Sequence, residues 1–292
     1  MKTLYDSDNY YDGDGQATRL APSLSSLLYL LDWAKAWGFA RKSKLYQTNR
    51  SGSSEGKPRV LDIGAGDGKF LYFMRRFGRI PSGTTLSSVS QQAAKSVFGI
   101  DLELTKTISP KLQKHKYQAI TYWHVFEHLD DPESHVSAWP SLLTSDGVVM
   151  VEAPNIESIG ARLSFDAWLG SDLKHHINHM TAKQIVELIE KYGMSVDRKE
   201  TFSLKFTYPF IWSGLLGRLF GTRLYHFDSV FGALKDPLGR LRKSPFVTLN
   251  TIASIYYLAP VILVLAVSGV ITGRGEVLRL YVSRSKGAVH GE

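Results

Sequence analysis

The chain has 292 residues, 43% hydrophobic and 12% aromatic, with no cysteine. Such a chain buries a large core without staples, and the absence of thiols excludes disulfides, thiolate nucleophiles, iron–sulfur clusters and Cys-ligated zinc. The formal net charge of +8 is unevenly placed: residues 205–247 hold seven Lys/Arg against two Asp, a net +5, while Ser244–Gly273 contains no charged residue.

Residues 1–22 read as an irregular lead-in without the basic start and apolar run of a signal peptide, so a cytoplasmic protein is expected. Leu24, Leu27, Leu28, Leu31, Trp33 and Trp37 then recur at mostly helical spacing behind Pro22 and Ser23, which predicts a helix over 23–46. A Gly/Ser-rich link at 48–58 precedes a short apolar strand, Val60–Ile63, and an amphipathic helix over 69–78. Strands are predicted at 82–88, 100–105, 117–123, 147–154 and 194–204. Helices are predicted at 89–99, after residue 124 with a break near Pro140, and at 180–193. Alternating strand and helix indicate a mostly parallel sheet covered by helices on both faces. VLRLYVSR at 277–284 alternates as an antiparallel edge strand would, which makes 205–275 an insertion between two strands of one sheet.

The first strand runs into Gly64, Gly66 and Gly68. Three alternate glycines strip side chains from a strand-to-helix turn and let backbone amides approach a ligand with a charged tail. A dinucleotide fingerprint needs a small residue where Lys69 stands, which disfavours a nicotinamide or flavin cofactor. Asp62, just before the turn, suits an ammonium or a network around the turn.

The run DIGAGDG at 62–68 resembles the first motif of the class I S-adenosylmethionine-dependent methyltransferases. Three further stretches strengthen the likeness: YWHVFEHLDDP at 122–132, EAPN at 152–155 and DLKHHINHMT at 172–181. They are similar, in order, to the subgroup written W-H-V-L-E-H-L-x-D-P, E-x-P-N and R-H-x-x-H-F-T. The resemblance covers residues 58–204 and implies a doubly wound, mostly parallel seven-stranded α/β sheet with an antiparallel last strand and an apolar helical insertion before it. It implies S-adenosylmethionine as cofactor, bound by Asp62, Gly64, Ala65, Gly66, Gly68, Thr85, Leu86, Trp123 and His124. Thr85 stands where the family usually has an acid for the ribose, a variant similar to that of the cyclopropane fatty acid synthases. The boundaries expected are a lead-in and capping helix at 1–57, the cofactor-binding core at 58–204, the insertion at 205–275 and the final strand at 276–286.

Transfer from a sulfonium to a hydroxyl needs in-line placement and removal of one proton, which a neutral imidazole performs. His176 or His179 is the expected base, with His124 and His128, four residues apart after the fourth strand, as the alternative. Glu127 beside them allows a divalent cation, but no metal is assigned. The hydroxyl reading stands beside transfer to nitrogen or carbon of a soluble metabolite, and beside a non-catalytic membrane-attached binding protein.

Residues 248–272 are long enough for one crossing of roughly 30 Å of hydrocarbon. A single crossing would put strand 277–284 on the wrong side, so a monotopic insertion is expected on the inner face of a membrane. Arg218, Arg223, Arg240, Arg242 and Lys243 would meet anionic lipid phosphates, with Trp212, Tyr256 and Tyr257 at headgroup depth. A buried helix or dimer interface is the rival role for 248–272. Nucleic acid is excluded as a partner, because the basic residues adjoin apolar helices. An apolar segment at this place also resembles relatives that act on membrane-embedded precursors, which implies a hydrophobic or lipid-linked acceptor.

Overall fold

The computed structural model describes residues 22–43, 57–220 and 253–285. Residues 1–21, and Arg223, Arg240, Arg242 and Lys243 with them, lie outside that set. In chain order the elements are α1 (Pro22–Lys42), β1 (Arg59–Ile63), α2 (Lys69–Arg76), β2 (Ile80–Thr85), α3 (Ser88–Phe98), β3 (Glu103–Leu104), α4 (Pro110–Gln113) and β4 (Tyr117–Trp123). A 3₁₀ turn (Phe126–His128) follows, then α5 (Pro132–Leu142), β5 (Leu143–Pro154), α6 (Ile159–Leu163), α7 (Ala182–Lys191), β6 (Met194–Glu200), α8 (Thr207–Phe220), α9 (Ala259–Ile271) and β7 (Val277–Arg284).

The seven strands form one mixed sheet in the order β3-β2-β1-β4-β5-β7-β6, with β1 parallel to β2 and β4, and β4 parallel to β5. The strand order reverses between β1 and β4. In open α/β sheets the crevice beyond the carboxyl ends at such a point takes the ligand. The last strands run antiparallel, as expected.

Several local expectations change. β7 is not an edge strand: it lies between β5 and β6, and β6 is the edge. Val277, Leu278, Leu280, Tyr281 and Val282 are all buried, so its alternation of types does not mark an exposed face. β3 shrinks to two residues, and β2 ends at Thr85 because Ser87 turns the chain into α3, its hydroxyl accepting the Ser90 N–H at 3.1 Å. α5 passes through Pro140 to Leu142. The proline removes one i→i−4 hydrogen bond near the end of the helix, and the buried Val136 and Trp139 hold the helix in place.

The chain divides into two compact units, residues 1–152, 184–198 and 280–292 in the first, and 153–183 and 199–279 in the second. The first unit buries Phe39, Val60, Phe70, Leu71, Phe73 and Met74 around the start of the sheet. In the second, α8 packs on α6 so closely that a Cβ at Gly214 would lie 2.5 Å from the Gly160 carbonyl oxygen. Trp212 of α8 is 2% exposed and donates through Nε1 to Ser254 Oγ at 2.8 Å. That overturns its expected place at headgroup depth, since the indole fills the core of this unit.

The apolar run 248–272 is not one long helix. Its described part is a helical stretch over 253–257 and then the thirteen residues of α9. Among the described residues no helix is long and apolar enough to cross a membrane.

Candidate active site

The glycine turn joins β1 to α2, and Gly64, Gly66 and Gly68 all have positive φ, at 69°, 54° and 75°. Side-chain-bearing residues adopt that conformation only at a cost. A Cβ at Gly64 would lie 2.5 Å from Val125 Cγ2 and one at Gly68 2.9 Å from Ala94 Cβ, whereas one at Gly66 would meet nothing within 4 Å. The protein's own packing therefore demands the outer two glycines, and the middle one borders open space that suits a ligand. Gly64 N–H donates to Thr84 Oγ1 at 3.1 Å and Ala65 N–H to the Thr84 carbonyl at 2.7 Å, so β2 braces the turn through a residue that sequence reasoning passed over. Lys69 pairs with Asp67 at 3.3 Å and with Asp32 of α1 at 3.4 Å.

Asp62 is 2% exposed, and Thr121 Oγ1 donates to its Oδ1 at 2.6 Å. Burial pushes its carboxyl up to about 7, against the Thr121 hydrogen bond and the positive charge of Lys35. Thr85 is buried and its hydroxyl accepts the Ser87 N–H at 3.4 Å, while the Gln91 amide donates to the Leu102 carbonyl at 2.7 Å. Leu86, between them, is half-buried.

At the carboxyl end of β4, Trp123 meets Phe39 and Phe70 edge to face, with centroids 6.1 and 5.3 Å away. His124 follows in a left-handed conformation, φ 54°, which turns its ring between two buried carboxylates. Nδ1 lies 3.3 Å from Glu127 Oε1 and Nε2 3.2 Å from Glu152 Oε1. Burial pushes this imidazole's pKa down, but Glu127 and Glu152 together outweigh it and the net shift is upward. The two carboxylates favour the cationic form of the ring. His128 closes the 3₁₀ turn, its N–H donating to the Val125 carbonyl at 2.9 Å.

The other histidines belong to the second unit, on the loop between α6 and α7. Asp172, at φ 27°, organises this loop: its carbonyl accepts the N–H groups of His175 and His176 at 2.8 and 2.9 Å, and its carboxylate holds His175 Nδ1 at 2.9 Å. His176 Nδ1 donates to the Gly170 carbonyl at 3.0 Å, and His179 Nε2 to the Ser171 carbonyl at 2.8 Å. A carbonyl can only accept, so each bond fixes a tautomer: the basic nitrogen is Nε2 in His176 and Nδ1 in His179. The two rings lie 6.1 Å apart, and Phe165 packs its edge on His179 at 5.6 Å.

Comparison with known proteins shows the class to which this fold belongs. The chain belongs to the methyltransferase-domain family, whose model matches residues 31–199, and its cofactor is S-adenosylmethionine. It is 34% identical over 116 residues to the ubiquinone biosynthesis O-methyltransferase of Salmonella paratyphi A, across 38% of this chain and 48% of that protein. The chain thus spans about half the length of the curated relatives it matches. A solved structure described as a sarcosine dimethylglycine methyltransferase from Galdieria sulphuraria superposes with a TM-score of 0.54 at 13% identity, covering 86% of this chain and 84% of that one. It shares the fold.

Proposed function

We propose that this protein transfers the methyl group of S-adenosylmethionine to an oxygen of a hydrophobic acceptor that it meets at an anionic phospholipid surface. The cofactor, when bound, supplies an electrophilic methyl on a sulfonium. In this reading Asp62, Gly64, Ala65, Gly66, Gly68, Thr85, Leu86, Trp123 and His124 line its place. His176 Nε2 or His179 Nδ1 accepts the proton of the acceptor hydroxyl. The name of the Salmonella relative supports oxygen as the nucleophile.

One observation carries the membrane part: α9 is apolar all round yet largely uncovered. Of its residues only Ile262 and Gly269 are buried, while Leu263, Val264 and Ile271 are 65%, 67% and 77% exposed, and Tyr256 just before it 76%. A helix apolar on every side belongs against another apolar phase, and contiguous patches of this kind mark interaction sites. The net +5 of residues 205–247 adjoins it in sequence, which gives the electrostatic half of interfacial binding to anionic lipid.

Co-sedimentation with vesicles of phosphatidylcholine, alone or with phosphatidylglycerol, tests this reading. Pelleting should rise with the anionic fraction and fall in part at high salt, because screening acts on charge and not on buried hydrocarbon. Leu263→Asp with Val267→Asp should abolish the salt-resistant part. Absence of pelleting with every vesicle would return the acceptor to an ordinary soluble metabolite.

A further inference from the structure

We infer that the turn at 202–205, just past the edge strand, is a second point of contact with the anionic bilayer: Phe202 and Leu204 enter the acyl region while Lys205 and Arg274 meet lipid phosphates. The inference rests on the membrane reading above and adds to it a part of the surface outside α9.

The chain leaves β6 at Glu200 with an inverted pattern. Extended backbone sends successive side chains to opposite sides, and here the polar ones go inward: Thr201 and Ser203 are buried, whereas Phe202 is 42% and Leu204 65% exposed. A single exposed leucine needs no explanation, but polar and apolar residues exchanged along one stretch set the apolar side against something other than water. The turn holds that arrangement by its own bonds. Thr207 N–H donates to the Ser203 carbonyl and Ser203 N–H to Thr207 Oγ1, both at 3.0 Å. Phe206 packs on Phe210 with ring centroids 5.4 Å apart, which ties the end of the turn to the core of its unit.

The turn continues the surface of α9. Gly275 packs on Thr201 so closely that a Cβ there would overlap the Thr201 carbonyl oxygen, and a Cβ at Gly269 of α9 would lie 3.2 Å from Gly275 Cα. The last turn of α9, with the exposed Val270 and Ile271, thus ends against the start of the stretch that carries Phe202 and Leu204. Charge selects the occupant. Lys205 and Arg274 are exposed at this end, Lys205 Nζ lies 5.5 Å from the Phe206 ring centroid, and residues 201–220 and 253–275 contain no Asp or Glu. Cations beside an apolar patch, with no acid among them, match anionic headgroups over hydrocarbon. A second copy docked through the same patch would set these cations against their own kind.

Because the sequence has no cysteine, a single one can carry a probe to a chosen position. Leu204→Cys, Val264→Cys and Val97→Cys, each labelled with nitrobenzoxadiazole, are mixed with vesicles of phosphatidylcholine and phosphatidylglycerol, with and without doxyl-labelled phosphatidylcholine as quencher. Val97, 69% exposed on α3, is the solvent reference. Emission from 204 should shift to the blue and be quenched by the doxyl lipid, as should that from 264, while 97 stays unchanged. Lys205→Gln with Arg274→Gln should weaken binding to these vesicles by about fivefold for each charge removed and leave binding to pure phosphatidylcholine unaffected. Near-ultraviolet circular dichroism checks that each variant is folded, and Phe202→Cys replaces Leu204→Cys if the latter is not. Water-like emission at 204 on vesicles that shield 264 would overturn the inference and leave the membrane reading standing. No pelleting and no shift at either position would overturn that reading, and the inference with it. A blue shift at 204 that needs no vesicles and grows with protein concentration would make the turn a contact between copies, and would also overturn the inference.

Discussion

Histidine chemistry in this protein is decided by what each ring touches. His124 sits between Glu127 and Glu152 and is held toward its cationic form, whereas His176 and His179 each donate one N–H to a main-chain carbonyl and keep a basic nitrogen. A positioned base contributes about 10²- to 10⁴-fold to rate. In a methyl-transfer assay with saturating acceptor, His176→Ala or His179→Ala, whichever removes the base, should slow turnover by that factor while calorimetry finds cofactor affinity near normal. His124→Ala should disturb cofactor affinity as well, because it leaves two buried carboxylates without the imidazole between them. If neither loop variant slows turnover beyond about threefold, far below a general-base effect, the base lies elsewhere. The motif likeness singled out these histidines, but not their division of labour. Tautomers and pKa shifts come from carbonyls and carboxylates that only the folded chain brings to the rings.

Between elements, Glu276 is the tie that joins α6 to the start of β7. It is fully buried and accepts from Gly160 N–H at 2.9 Å, Trp168 Nε1–H at 2.8 Å and Ser158 Oγ at 3.1 Å. Burial pushes its carboxyl up to about 7 against these hydrogen bonds. Since the folded-state value lies above the ordinary 4.5, its contribution to stability is full below that value and is lost as pH rises through about 7. Urea unfolding at pH 5 and pH 8 should show a loss on the order of 3 kcal/mol from this group, with Asp62 acting in the same direction. Glu276→Gln should flatten that dependence. At pH 5 it should also cost about 1–3 kcal/mol, because an amide NH₂ then faces one of the three donors.

Helix α9 offers the complementary contrast. Ile262 is buried in the cluster with Trp212 and Leu216, and Val264 on the same helix is 67% exposed. Ile262→Ala should cost about 2–5 kcal/mol in urea unfolding, because it leaves a cavity. Val264→Ser should stay within about 0.5 kcal/mol, the range of ordinary surface changes. A large cost at Val264 would show that the face is packed in solution, and would argue for a subunit contact in place of lipid.

Over the whole molecule, what could be read in the sequence is what the backbone requires locally. The glycine turn was legible because left-handed φ angles at 64, 66 and 68 admit few other residues. The parallel core was legible because apolar runs of strand length alternate with helical periods. The length and apolarity of 248–272 were also plain in the sequence, and its division into 253–257 and α9 was not. Three features depended on tertiary structure alone. β7 entered the sheet between β5 and β6, since a strand buried on both faces and one at an edge can carry similar alternation, and pairing partners are chosen across the whole chain. Trp212 went into a core although a tryptophan in an apolar helix suits an interface equally well; Ser254, 42 residues away, supplied the acceptor that makes burial inexpensive. Lys35 came to lie over the Trp123 ring because folding brought together positions 88 apart; a lysine one turn from a phenylalanine carries no local sign of the indole it will meet.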